Sequence, residues 1–265
     1  MDIQELTNYK LTKKLGIGGH VTLYAAENKL NPEQKSVATV FDELIAQNVE
    51  ISKKFEENAK KVMTLDNKNI VKTIDYEINP NYLALLTEML PGQNLQFIVL
   101  IRGISRAAIL EIFTNILKSM NYAHENGIIH YNLKPSNIIV PDDFSKLKII
   151  DFGLTDVLFY NEEAFNQYNF ESPMFCSPEF VRGQKCDIRS DIYSLGVLFY
   201  FMFSHKTPYL KTAPNNVIVE HIKNDPVPEI KGYGKINEII AKATNKDINL
   251  RYQNCQELLQ DIKTL

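Results

Sequence analysis

The sequence predicts an α+β fold in two lobes: a small antiparallel-sheet lobe with one main helix, then a larger and mainly helical lobe. Three observations predict it. The first third alternates and turns like a sheet, one helical pattern interrupts it, and after Pro91-Gly92 the periodicity becomes mostly helical.

Val71 to Ile78, the turn Asn79-Pro80-Asn81 and Tyr82 to Thr87 read as a hairpin, two β-favouring runs joined by turn formers. Ile51, Phe55, Ala59 and Val62 recur near a 3.6-residue period and define the small lobe's helix. Pro91-Gly92 then breaks the chain, dividing it into lobes at 1–90 and 91–265.

In the second lobe Ile109, Ile112, Phe113, Ile116, Leu117 and Met120 line one helix face, with Gly127 at the stop. Short strands follow around Asn137 to Val140 and Leu147 to Ile150, joined through Pro141-Asp142-Asp143. Leu195 to Phe203, the longest apolar run, is far short of the roughly 20 residues of a spanning helix. It reads as a buried core helix. Two further helices follow, one on Ile236, Ile239, Ile240 and Ala243 and one on Leu258, Leu259 and Ile262.

The 265 residues suffice for one large domain or two close lobes, and 45% hydrophobic with 23% charged residues suits an ordinary globular protein. A net charge of -3 offers no basic footprint, so no nucleic-acid partner is expected. Cys176, Cys186 and Cys255 are odd in number and lack C-x-x-C spacing, which suggests reduced thiols and a cytoplasmic setting. Asp2, Gln4 and Glu5 interrupt any apolar N-terminal run, so neither a signal peptide nor a membrane anchor is expected. The lobes are expected to fill the chain.

His130-Tyr131-Asn132-Leu133-Lys134-Pro135-Ser136-Asn137, followed by Asp151-Phe152-Gly153, resembles the catalytic loop and metal-binding turn of the eukaryotic-type (Hanks-type) Ser/Thr protein kinases. The resemblance runs from about Tyr9 to the C-terminus and implies the bilobal protein kinase fold. Leu15-Gly16-Ile17-Gly18-Gly19-His20-Val21 is similar to the glycine-rich phosphate loop, with Val21 in place of its third glycine. Ser177-Pro178-Glu179 is similar to A-P-E, with Arg251 where that Glu finds its partner. Asp191-Ile192-Tyr193-Ser194-Leu195-Gly196 is similar to the helix whose Asp holds the catalytic-loop backbone. Ser172-Pro173 is similar to a Thr-Pro step that favours Ser/Thr-type ancestry.

From the resemblance follow roles for single residues. Leu15, Gly16, Gly18, Leu23, Ala38 and Ile139, with gatekeeper Thr87 and hinge residues Glu88 and Leu90, would face a nucleotide. Lys134 would approach its γ-phosphate, and Asn137 and Asp151 would hold metal. His130, Phe152, Glu179, Asp191 and Arg251 are assigned to structure.

Besides Val21, four positions depart from the pattern. The catalytic base, an Asp in H-R-D-x-x-x-x-N, is Asn132. Val40 is read at the phosphate-lysine position of strand three and Asn58 at the helix-glutamate position, where a one-residue slip would substitute Glu57. Tyr131 replaces the Arg that receives an activation-loop phosphate in many relatives. Losing Lys and Glu together leaves no orphaned charge, whereas losing one would cost roughly 3–5 kcal/mol. Losing a general base costs about 10²–10⁴ in rate.

The expectation is a pseudokinase-like module with lost or strongly impaired phosphoryl transfer, acting through a protein partner, with ATP and Mg²⁺ as allowed ligands. The alternative is a residually active Ser/Thr kinase acting on protein hydroxyls. A minor one is a kinase-fold enzyme transferring another group. His130 reads as a core histidine. Asp151 and Asn137 each retain two readings, metal ligation or local backbone bonding. Phe159, Tyr160, Phe165, Tyr168, Phe170 and Phe175 read either as a docking surface or as residues packing the segment onto its own lobe.

Overall fold

The computed structural model describes residues 5–18, 21–155, 173–210 and 212–265. Two compact units emerge. The first takes the residues up to Asp66, then Val71–Pro91 and the stretch beginning at Gly153; the second takes Asn67–Ile70, Gly92–Phe152 and the C-terminal helices. The units therefore interleave, where sequence reasoning cut once at 90/91. Asn69 explains one exchange: its amide donates to the carbonyls of Ser145 and Leu147 at 2.9 and 2.8 Å, and Ile70 bridges Ile149 in parallel.

The first unit is an antiparallel sheet of β1 (Tyr9–Gly18), β2 (Val21–Asn28), β3 (Lys35–Phe41), β4 (Thr73–Asn79) and β5 (Tyr82–Glu88), ordered β1-β2-β3-β5-β4. The β4–β5 turn is closed by Asn79, whose Oδ1 accepts from the Asn81 amide at 3.0 Å, a side-chain mimic of a backbone turn. After α1 (Glu43–Ala46) comes α2 (Val49–Met63), capped by Asn48 and carrying Lys60 and Lys61 in its last turn, where they oppose the helix dipole. Ile51, Phe55 and Ala59 of α2 meet Phe41, Leu83 and Leu85 of the sheet and Leu154. The Phe55 ring packs edge-on to Phe41 and Tyr76. On the opposite sheet face Ala38, Val40, Ala84 and Leu86 pack with Leu6, Tyr9, Tyr24, Ala26 and Tyr82. Both faces of β3 are thus covered, which is why it reads as one nearly continuous apolar run.

The second unit is mainly helical, as the sequence predicts. A small sheet pairs β6 (Gln93–Asn94), β7 (Ile138–Val140) and β8 (Lys148–Ile149). Gly92 needs its freedom there: at φ +117°, a Cβ would lie 2.9 Å from the Val140 carbonyl oxygen. A helical turn at Leu95–Phe97 runs into a π-helical turn at Ile98–Arg102. Then follow α3 (Arg106–Glu125), α4 (Pro178–Val181), α5 (Ile188–Ser204), α6 (Asn215–Asn224), α7 (Gly234–Ala243) and α8 (Cys255–Ile262). Every α5 residue from Ser190 to Phe203 is buried, so the long apolar run is the core of this unit. A Cβ on Gly196 would fall 2.7 Å from Ala243 Cβ and Thr244 Cγ2, so α5 and α7 meet at the small residue.

Candidate active site

The catalytic-loop motif hangs from α5. The Asp191 carboxylate is fully buried and accepts three hydrogen bonds: Oδ2 from His130 N at 2.8 Å, Oδ1 from Tyr131 N at 2.9 Å, and Oδ2 in contact with His124 Nε2 at 2.8 Å. Behind His124 lies the buried Cys255, with Sγ 3.6 Å from Nδ1. Motif reading missed His124 and Cys255; the cue for His124 is its place near the C-terminus of the apolar-faced α3.

Tyr131 is held at φ 62°, a conformation few non-glycine residues adopt, so the Asp191 clamp matters most there. His130 Nε2 lies 2.9 Å from the Ile150 carbonyl oxygen, which can only accept, so Nε2 carries the proton. Its Nδ1 then accepts from Asn132 N at 3.3 Å. Burial holds the His130 pKa below the ordinary histidine value, against the pull of Asp191 and Asp151. The neutral ring lies 4.5 Å from that of Phe152.

Asp151, at φ 74°, turns its carboxylate toward the two asparagines. Asn132 Nδ2 donates to Asp151 Oδ2 at 2.6 Å, and Asn137 Nδ2 to the same oxygen at 3.0 Å. Asn137 Nδ2 also donates to the Asn132 carbonyl oxygen at 2.8 Å. Asn132 and Asn137 of the loop therefore converge on one carboxylate. Lys134, half-buried, lies close enough to act on Cys176, but burial prevails and pushes that thiol up to about 12.

A carboxylate oxygen already accepting two amide hydrogens is a poor place for a divalent cation. Among the described residues no cluster of three or more His, Cys, Asp or Glu side chains could hold a metal. The resemblance would assign a metal to Asn137 and Asp151, and this donor set does not fit one while Asn132 and Asn137 both donate to Asp151 Oδ2.

Below the loop, Arg251 Nη1 and Nη2 donate to Glu179 Oε1 and Oε2 at 2.7 and 2.8 Å, and Ser190 Oγ donates to Oε1 at 2.7 Å. Burial alone would raise the Glu179 pKa; the hydrogen bonds and charge of Arg251 outweigh it and hold the carboxyl below its ordinary value.

The first unit corrects one assignment. A lysine that pairs with a glutamate on α2 must leave β3 on the α2 side. Val40 does not: it shares the opposite face with Ala38, among Tyr24, Tyr82 and Leu86. Phe41 packs toward α2, and strand alternation puts Thr39 on that same face. The lysine position is therefore Thr39, and Ala38 likewise turns from the side expected of an adenine contact. Val21 packs against the α2-side core.

On α2, Asn58 is buried and donates Nδ2 to the Gly153 carbonyl at 3.0 Å, whereas Glu57 is exposed; the alternative of a one-residue slip is closed. Gly153 must remain small, since a Cβ there would meet Val62 Cγ1 at 2.8 Å.

The other nucleotide-facing assignments fall in both units. Leu15 is exposed and Leu23 half-buried; Gly16 pairs with Leu23 and Gly18 with Val21 across β1–β2. Thr87, Glu88, Leu90 and Ile139 are half-buried, and Glu88 Oε1 accepts from Lys72 N at 2.8 Å. Gly19 and His20 lie outside the described residues, as do Phe159, Tyr160, Phe165, Tyr168, Phe170 and Ser172. Phe175 is described and packs edge-on to Phe201, 6.1 Å away.

A family model for the protein kinase domain matches residues 9–263. The chain belongs to the protein kinase domain family. A Clostridium acetobutylicum protein described as a probable serine/threonine-protein kinase is 31% identical to this kinase-domain chain over 264 residues, covering 97% of the chain and 40% of that protein. Serine/threonine-protein kinase PrkC of Bacillus subtilis is 27% identical over 263 residues, covering 97% and 40%. The chain thus spans about two-fifths of the length of the curated relatives it matches. The PknI kinase domain of Mycobacterium tuberculosis superposes with a TM-score of 0.76 at 17% identity, over 97% of this chain and 95% of that one. A Rad53 structure in complex with AMP-PNP gives 0.77 at 19% identity, over 96% and 64%. These two likenesses establish the kinase fold. Among the described residues no helix of this kinase domain is long and apolar enough to cross a membrane.

Proposed function

We propose that this kinase domain has lost, or retains only weakly, phosphoryl transfer, and that it works by binding another protein. The observation that carries the reading is the contact of Asn132 Nδ2 with Asp151 Oδ2 at 2.6 Å. The side chain at the base position is a neutral amide whose N–H group already points at the neighbouring carboxylate. It has no basic oxygen to take a hydroxyl proton. Thr39 at the lysine position and Asn58 on α2 support the reading, because the ion pair that positions phosphates in active kinases has no counterpart in either residue. The free thiols of Cys176, Cys186 and Cys255 favour a cytoplasmic setting.

A second reading has its own support: the relatives bear serine/threonine-kinase names. In that reading the chain transfers phosphoryl groups slowly to protein hydroxyls, with Lys134, Asn137 and Asp151 as its remaining parts.

The two separate by a transfer assay with labelled ATP and a generic protein substrate, run beside Asp151→Ala. Turnover abolished in that variant establishes the second reading. No turnover above the variant's background, together with capture of a specific protein partner, establishes the first.

A further inference from the structure

We propose that the Asn132 amide stands in for the divalent cation: it neutralises and orients Asp151, so that this turn is complete without metal. The proposal rests on the reading of position 132 as a base position without a base, and it concerns what the substitution supplies rather than what it removes.

The geometry fixes the orientation of both amides. A carboxylate is acceptor-only, so the atom of Asn132 lying 2.6 Å from Asp151 Oδ2 must be the N–H₂ group. Asn137 is fixed in the same way, because the two acceptors at 2.8 and 3.0 Å, Asn132 O and Asp151 Oδ2, use both hydrogens of its Nδ2.

With an aspartate at 132 the same contact would press two acceptor-only oxygens together, and a cation between them would relieve the repulsion. The amide turns that repulsion into a charge-assisted hydrogen bond. One carboxylate then remains among residues 132, 137 and 151, and one of its two oxygens, Oδ2, is held by two donors. A cation binding there would have to displace them, with half the negative charge that two aspartates would offer.

The test is thermal melting of the purified chain, of Asn132→Asp and of Asn132→Ala, first in EDTA and then in excess Mg²⁺ or Mn²⁺. The wild-type Tm is expected to be unchanged by either cation. Asn132→Asp should melt lower in EDTA by about 3–8 °C and regain most of the loss on adding cation. Asn132→Ala should melt lower and regain nothing.

A wild type stabilised by cation as much as Asn132→Asp would overturn the proposal. So would an Asn132→Asp that melts with the wild type in EDTA, or one destabilised with no cation response. If Asn132→Asp does not fold, wild type and Asn132→Ala still decide: a cation-responsive wild type, or an alanine variant melting with it in EDTA, sinks the idea. Turnover is read separately. A wild type that transfers phosphoryl removes the reading of function, whereas a silent wild type that Mg²⁺ stabilises removes only this inference.

Discussion

Asn58 donates its side-chain amide to the carbonyl oxygen of Gly153 at 3.0 Å, fastening α2 to the turn that follows Asp151. Asn58→Leu leaves that buried carbonyl without this donor and should cost about 1–3 kcal/mol in urea unfolding. Asn58→Glu, which places there the glutamate that the kinase resemblance expects, should cost more, roughly 3–5 kcal/mol. It turns an acceptor toward an acceptor and strands a charge.

The same site distinguishes Thr39 from Val40. Thr39→Lys should recover part of the stability lost in Asn58→Glu, because both positions lie on the α2 side of the sheet. Val40→Lys should recover none and should add its own loss, since Val40 is buried among Tyr24, Tyr82 and Leu86. A double-mutant cycle should show favourable coupling of about 1 kcal/mol or more for 39 with 58 and near zero for 40 with 58. Equal coupling in both cycles would refute the assignment of faces.

Arg251 and Glu179 form a buried, two-pronged ion pair, so Arg251→Ala should cost about 3–5 kcal/mol by leaving Glu179 uncompensated. The folded Glu179 pKa lies below its unfolded value, with burial opposing and Arg251 prevailing. Its stabilising contribution is therefore complete above the ordinary carboxylate range and lost as pH falls through the lowered folded value. Denaturation midpoints between pH 3 and pH 6 should fall more steeply in the wild type than in Arg251→Ala.

His130 has the opposite chemistry and the same sign. Burial lowers its folded pKa, so below the unfolded value of about 6.5 the unfolded chain binds the extra proton. Stability should erode as pH falls from there. In His130→Phe, which keeps a ring beside Phe152, the melting temperature should depend less on pH between 7.5 and 5.

Much of the fold is legible in the sequence because the signals are local. The β4–β5 hairpin is announced by its turn, α2 by Ile51, Phe55, Ala59 and Val62, and α5 by the apolar run to Phe203. The residues of the candidate site are legible too, since His130 to Asn137 and Asp151 to Gly153 are contiguous. What is lost is parity. Val37-Ala38-Thr39-Val40-Phe41 is covered on both faces, so no alternation of apolar and polar residues tells which side each takes. Thr39, the one hydroxyl in that run, was the available hint. The contact of Asn132 with Asp151 was out of reach for another reason: it depends on left-handed backbone at Tyr131 and Asp151, which residue identity does not announce.

The Asp191 clamp has a consequence for how such a chain can change over time. The shape of the loop is set from α5 by a carboxylate whose hydrogen-bond partners among the described residues are two backbone amides and His124. The side chain at 132 is no part of that scaffold. An exchange between aspartate and asparagine at 132 therefore leaves the Asp191 clamp untouched and alters only the contact with Asp151. Asp191 has no such licence. Even in a lineage relieved of all demand for turnover, its loss would release the left-handed turn at Tyr131, so selection for folding alone is enough to keep it.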